Sequence, residues 1–237
     1  MIIFWRLLLS HLLADFTLQF DVVNRMKRNS VWGMLLHCMT HFVVSAALTW
    51  NYLPDTWFDL GPLAVNGWWA LVIMFAVHFA VDELRVYSMK TLRFRDNTVS
   101  FLVDQLLHFY VLVMISPVII SGPGLVMGEK WAVIGAMLVL VAHFTTVLVY
   151  FVEKDLFGKG FPHFDEKYFL IFERLVLWAF FFAVGYWWIP FALAWIFQLI
   201  YIKRKRIIDM SRVNVWLSVV LTILFGVWTR FAYYGCL

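Results

Sequence analysis

Charged residues are scarce in this sequence. They make up 14% of the 237 residues, against about 25% in an ordinary soluble domain. Hydrophobic residues make up 63%, and the mean hydropathy is +0.82. A soluble domain of this size leaves roughly a third of its unfolded-chain surface in water, and so apolar a sequence cannot do so. The composition therefore excludes a soluble enzyme and a disordered tail, and it indicates a membrane protein.

Cysteine is also rare, because the chain holds only Cys38 and Cys236. Two cysteines provide no disulfide framework. A cleavable signal peptide is not expected either, since the first apolar run carries His11 and Asp15 in its middle and has no small-residue cleavage site. The net charge of +4 is typical of basic cytoplasmic loops in membrane proteins. We therefore expect no nucleic-acid partner.

The sequence contains several long apolar runs. A spanning helix needs about 20 mostly apolar residues, and the runs do not alternate as the strands of a membrane β-barrel would. We predict an all-α fold, a polytopic transmembrane helical bundle forming a single domain over 1–237. The runs lie at 2–20, 31–50, 66–86, 98–120, 130–152, 168–188, 190–203 and 212–232. They predict eight spanning helices, or seven if 168–203 is one broken helix.

Basic residues gather in alternate loops, which predicts an orientation. These loops lie at 21–30, 85–97, 154–167 and 203–212. Loops rich in Lys and Arg face the cytoplasm in membrane proteins. We therefore expect both termini outside the cytoplasm, with membrane lipids as the surrounding partners. The oligomeric state does not follow from the sequence.

Ionisable residues four positions apart recur in the first four apolar runs. Residues with this spacing lie one above the other on the same helix face. The pairs are His11 with Asp15, His37 with His41, His78 with Asp82, and Asp104 with His108. At 1.5 Å per residue, all eight fall in one layer roughly 6–15 Å below the predicted cytoplasmic surface. The eight side chains are therefore expected to converge.

Eight ionisable side chains within the hydrocarbon core of a membrane need something that offsets the cost of burying them. One Asp at a helix centre costs about 2.5–3.5 kcal/mol, so such residues are usually paired and functional. Imidazole with carboxylate suits zinc, iron or manganese, and three or four ligands hold each ion. We predict one or two divalent transition-metal ions, zinc first. The alternatives are a metal-free hydrogen-bonded network that fixes helix packing and a haem held by two His, which leaves the Asp residues unexplained.

Glu173 and Arg174 lie at the same predicted depth in the sixth run. They are candidate catalytic residues, with Glu173 as general base or ligand and Arg174 binding an anionic group. The alternative is an internal ion pair. On this view 1–120 is the metal-site half of the domain, and 121–237 is the supporting half.

The motifs of the first 110 residues carry a family resemblance. They are His11-Leu-Leu-Ala-Asp15-Phe-Thr-Leu-Gln19, Asn24, the His37/His41 pair, His78 with Asp82, and Phe101-x-x-Asp104-Gln105-x-x-His108. This set resembles an uncharacterised bacterial membrane family catalogued as domain of unknown function 3307. The resemblance implies a multi-pass protein of the bacterial inner membrane and brings no established activity. More distantly, the pairs are similar to those of membrane proteins described as metal-dependent hydrolases.

Two functions compete on this basis. The first is a metal-dependent hydrolase acting on a lipid-linked or phosphorylated substrate at the cytoplasmic leaflet. The alternative is a transporter or channel for divalent metal or protons, since paired His and Asp also hold translocated ions. A second polar layer in the outer half of the spans would complete a transport path, and the sequence shows none. A metal-dependent oxidase and a purely structural membrane protein are further alternatives.

Overall fold

Helices dominate the computed structural model, which describes residues 1–19, 21–117, 129–205 and 211–235. The helices are α1 (Ile2–Leu12), α2 (Asp21–Asn29), α3 (Val31–Thr49), α4 (Gly67–Lys90), α5 (Thr98–Ile115), α6 (Lys130–Val139), α7 (Thr145–Phe157), α8 (Phe164–Ala179), α9 (Trp188–Arg204) and α10 (Arg212–Tyr234). A π-helical turn, Leu13–Thr17, extends α1, and another, Leu140–Phe144, joins α6 to α7. Each predicted apolar run contains a helix, which confirms the all-α class.

Several of these helices are apolar enough to cross a membrane. Within the described ranges, four helices are long and apolar enough to span a membrane. The number is five if the bent pair Ile2–Thr17 and Val22–Asn29 forms one span. The four are Val31–Tyr52, Thr98–Ile115, Lys130–Phe157 and Arg212–Tyr234. The structure thus indicates a membrane protein, while the total of eight spans stays a prediction.

Side-chain caps set the starts of four helices. Ser30, Asn66, Asn97 and Ser211 each accept a hydrogen bond from the backbone N–H three residues later, over 2.9–3.2 Å. A capping oxygen satisfies one of the N–H groups that have no partner within the helix. Ser30 and Asn97 are the last residues of the predicted basic loops 21–30 and 85–97, so these two helices start where the sequence predicts.

Segment 21–30, predicted as a loop, is instead the helix α2. The polar composition of this segment does not predict a helix, but α2 forms and packs on α3 at Gly33. A Cβ atom on Gly33 would lie 2.2 Å from the backbone carbonyl carbon of Met26. Only a glycine allows so close an approach of two backbones, so the position of this helix depends on its contact with α3.

The segment between α3 and α4 also differs from the predicted loop. Strands β1 (Thr56–Leu60) and β2 (Leu63–Asn66) pair antiparallel, with Leu60 opposite Leu63. Gly61 in the connection has a φ of +62°, a conformation that glycine adopts at no steric cost. The pattern of the sequence missed this hairpin because it is too short for a clear alternation.

Two compact units follow each other along the chain, residues 1–136 and 137–237. The boundary falls inside α6. The predicted boundary between 120 and 121 lies outside the described residues, as does Cys236.

In the second unit, residues 168–203 hold most of α8 and of α9, which the residues 180–187 separate. The Trp195 indole N–H on α9 donates to the backbone oxygen of Glu173 on α8 over 3.2 Å, so α9 folds back along α8. The buried Arg230 guanidinium holds the turn between them. It donates to the backbone oxygens of Phe181, Ala183 and Gly185 over 3.2, 2.7 and 2.5 Å.

A glycine-to-alanine change on α10 tests this packing. At Gly226 a Cβ atom would lie 2.4 Å from the fully buried ring of Phe181. We expect Gly226→Ala to lower the free energy of unfolding by about 1–3 kcal/mol, the usual effect of overpacking. Unfolding in mixed detergent–SDS micelles measures this. Gly160→Ala is the control, because a Cβ there meets nothing within 4 Å; equal stability of the two variants would contradict the expectation.

Candidate metal centre

Four helices of the first unit bring the eight predicted His and Asp side chains together. We call these eight residues the His/Asp cluster. His11 and Asp15 come from α1 and its π turn, and α3, α4 and α5 each contribute one pair. Every side chain in the cluster is at most 8% exposed. The predicted convergence of the four pairs is therefore what the structure shows.

Asp15 is the hub of one part of the cluster. Its Oδ1 lies 3.1 Å from His41 Nε2 and 3.2 Å from His37 Nε2, and its Oδ2 lies 3.5 Å from His11 Nε2. Asp15, His37, His41 and His78 offer ligand atoms that all lie within 4.8 Å of one another. We call them the first ligand group. Ligand atoms bound to one zinc at 2.0–2.2 Å stand about 3.4 Å apart, so small side-chain shifts would close this group on an ion.

A π-helical turn positions Asp15. Leu13–Thr17 adopts this wider geometry directly after α1, and such turns are frequent at functional sites. It places Asp15 one turn beyond His11 and within reach of α3. Sequence spacing predicts the pair, and the local widening of the helix depends on the packed structure.

Asp82 is the hub of the other part. Its carboxylate lies 3.2 Å from His78 Nε2, 3.3 Å from His37 Nε2 and 3.5 Å from His108 Nε2. Asp82, Asp104 and His108 again offer ligand atoms within 4.8 Å of one another. We call these three the second ligand group. The cluster therefore has donors for one or two ions.

Buried nitrogen and oxygen atoms without a hydrogen-bond partner show whether the cluster fits a metal. Among the described residues, His11 Nε2, Asp82 Oδ1, Asp104 Oδ1 and His108 Nε2 are buried without a hydrogen-bond partner. Such an atom costs about 1–3 kcal/mol when it stays unsatisfied. Imidazole nitrogen and carboxylate oxygen are the donors that zinc, iron and manganese accept. The residues present therefore fit a divalent transition metal.

The comparisons with known proteins identify the family. The model of the family described as "Protein of unknown function (DUF3307)" matches residues 3–131. The chain belongs to this family. The match covers the whole His/Asp cluster and ends before α7. No curated protein and no solved structure matches the chain.

Three polar residues inside the range of the DUF3307 match touch the cluster and were not predicted as site residues. Lys27 Nζ lies 2.7 Å from Asp82 Oδ2. Arg85 donates to Asp104 Oδ2 over 2.8 Å, and Gln105 donates to Asp15 Oδ2 over 3.2 Å. Lys27 and Arg85 both lie in segments that the sequence predicts as cytoplasmic loops. The spacing of Arg85, one helical turn after Asp82, is a signal that could have found it.

Glu173 and Arg174 lie beyond the DUF3307 match, in the second unit. Both are 3% exposed. The Arg174 guanidinium donates to the backbone oxygen of Ala142 over 3.1 Å, to Ser218 Oγ over 3.3 Å and to Thr146 Oγ1. All three partners are neutral. The catalytic roles of this pair stay predictions.

Proposed function

We propose that this protein is a metal-dependent hydrolase of the bacterial inner membrane, acting on a phosphorylated or lipid-linked substrate at the cytoplasmic leaflet. The observation that carries the proposal is the tight grouping of Asp15, His37, His41 and His78, whose buried ligand atoms lie within 4.8 Å of one another. The second ligand group lies beside it and provides for another ion. Zinc is the first candidate, with iron and manganese as alternatives.

The surrounding residues support hydrolysis of an anionic group. A divalent metal in this centre would supply a Lewis acid for attack of water on a phosphoryl or carbonyl centre. Asp104 Oδ1 lies 3.7 Å from His108 Nε2 and accepts no hydrogen bond, so it can accept a proton within the cluster. Lys27 and Arg85 provide positive charge for a phosphate. The proposed roles of Glu173 as general base and of Arg174 as anion-binding residue rest on the sequence alone.

The proposed topology has eight spans, with both termini outside the cytoplasm. The contacts of Asp96 support it. Arg85 donates to Asp96 over 3.1 Å, and Arg28 donates to it over 3.4 Å. The basic segments 21–30 and 85–97 thus meet near the same end of the first unit as the cluster, as they would on the cytoplasmic side of a membrane.

Elemental analysis tests the metal centre. We expect the protein, purified in detergent without chelators, to hold one or two equivalents of zinc, iron or manganese. His41→Asn removes a donor of the first ligand group and is expected to lose most of this metal. His163→Asn is the matched control, because His163 is exposed at the start of α8. Metal-free wild-type protein, in which added zinc also fails to bind, would overturn the proposal.

Phosphate release tests the hydrolase. We expect zinc-loaded protein in nanodiscs to release inorganic phosphate from dioctanoyl phosphatidic acid, a lipid phosphomonoester. Dialysis against a chelator should stop the release, and added zinc should restore it. Release that is equally fast from His41→Asn would show a contaminating phosphatase and contradict the proposal.

Burial favours one other candidate, a divalent-metal transporter. Side chains of the cluster are at most 8% exposed, and ions that cross a membrane are held at such enclosed sites. Proteoliposomes loaded with a zinc-sensitive dye separate the two functions. Zinc uptake that His78→Asn abolishes would establish transport, whereas bound zinc without uptake would support the hydrolase.

A further inference from the structure

The ammonium group of Lys27 lies inside the His/Asp cluster. Its Nζ atom is 2.7 Å from Asp82 Oδ2 and 3.1 Å from His37 Nε2, and the side chain is 13% exposed. A lysine ammonium is a compact point charge with three donors. Lys27 therefore stands against a carboxylate and an imidazole, as a bound cation would.

A thiol lies beside the same Asp82 carboxylate. Cys38, His78 and Asp82 offer a sulfur, a nitrogen and an oxygen that all lie within 4.8 Å of one another. Cys38 is a free cysteine and fully buried. Thiolate, imidazole and carboxylate are the three ligand types of protein zinc sites.

The close packing of α2 on α3 carries Lys27 to this position. Met26, its neighbour on α2, lies against Gly33 so closely that a Cβ atom there would be 2.2 Å from the Met26 backbone. A hydrogen bond also joins the end of α2 to the start of α3, because the Ser30 backbone N–H donates to the Met26 oxygen over 2.9 Å. Any side chain at position 33 would push α2 and Lys27 outwards.

We propose that Cys38, His78 and Asp82 form a further cation position for a thiophilic divalent metal, and that the Lys27 ammonium fills this position and blocks it. The inference rests on the proposed metal function. A divalent ion and the Lys27 ammonium cannot both bind the Asp82 carboxylate at this distance, because their like charges repel. Metal binding there forms a metal–sulfur bond and releases the Cys38 thiol proton to the buffer.

Cobalt titration of the full-length protein in detergent tests this directly. Cobalt gives a near-ultraviolet charge-transfer band only when a thiolate binds it. We expect no such band for the wild type. Lys27→Met should show the band, because cobalt can then reach Cys38 together with His78 and Asp82. Lys27→Met/Cys38→Ser should lose the band. Lys27→Arg keeps the positive charge at the position and should show no band.

A second variant keeps the test decisive if Lys27→Met does not fold. Gly33→Ala moves α2 without changing any charge, so it should also produce the band. A thiolate band in the wild type, or its absence from folded Lys27→Met and Gly33→Ala, would overturn the inference while leaving the metal centre in place. A wild-type protein that binds no cobalt and no zinc would instead overturn the proposed function.

Discussion

Replacing Asp15 by asparagine is expected to weaken zinc binding at least ~100-fold, because even the outer partners of metal ligands contribute 10–100-fold to affinity. Asp15 is the carboxylate that faces most of the first ligand group. It lies 3.1 Å from His41, 3.2 Å from His37 and 3.5 Å from His11. Asparagine keeps the size and one oxygen but removes the negative charge that a divalent ion requires.

Competition with a chromophoric zinc chelator measures this loss. Asp59→Asn is the matched control, since Asp59 is an exposed residue of β1 and the same change there should leave zinc affinity unaltered. The far-ultraviolet circular dichroism of both variants should match the wild type. Unchanged affinity in Asp15→Asn would show that the cluster is a hydrogen-bonded network, the metal-free alternative that the sequence leaves open.

The four pairs could be predicted from the sequence because they combine two simple regularities. Spacing of four residues puts His78 and Asp82 on one helix face, and the depth along each apolar run puts the pairs in one layer. Neither regularity needs knowledge of how the helices pack. The composition alone then predicts apolar helices, since no soluble fold accommodates so few charges.

The cations in the cluster could not be found in the same way. Lys27 belongs to a short polar segment that the positive-inside rule explains fully, so nothing in its sequence points inwards. Its place beside Asp82 depends on the contact of Met26 with Gly33, which is a tertiary fact. Arg85 is similar, because its bonds to Asp104 and Asp96 join α4 to α5 and to the segment between them.

The second unit shows the same limit more strongly. The partners of the buried arginines Arg174 and Arg230 are distant in sequence. Arg230 holds backbone oxygens 45 to 49 positions away, and Arg174 bonds to Ser218, which is 44 positions away. Side chains that satisfy such distant groups are known only when the packing is known.

Asp82→Asn is expected to lower the free energy of unfolding by about 3–5 kcal/mol, the usual cost of removing one partner from a buried ion pair. Asp82 is 1% exposed, and its carboxylate is the counter-ion of Lys27 at 2.7 Å. Without it the ammonium would stay buried against imidazoles alone. The measurement is SDS unfolding of metal-free protein in mixed micelles, so that a change in metal binding does not contribute. Glu83→Gln, a neighbouring carboxylate on α4, is the control and should have little effect.

The double variant Lys27→Met/Asp82→Leu separates the ion pair from the packing of Asp82. A buried ion pair replaced on both sides by apolar residues often costs little, because the desolvation of both charges disappears with their attraction. The double variant should therefore recover most of the stability that Asp82→Asn loses. If the stability that it loses equals the sum of the losses of Lys27→Met and Asp82→Leu alone, the two charges are not coupled, and Lys27 is not held by Asp82. Recovery would instead show that the attraction of Asp82 holds Lys27 inside the cluster.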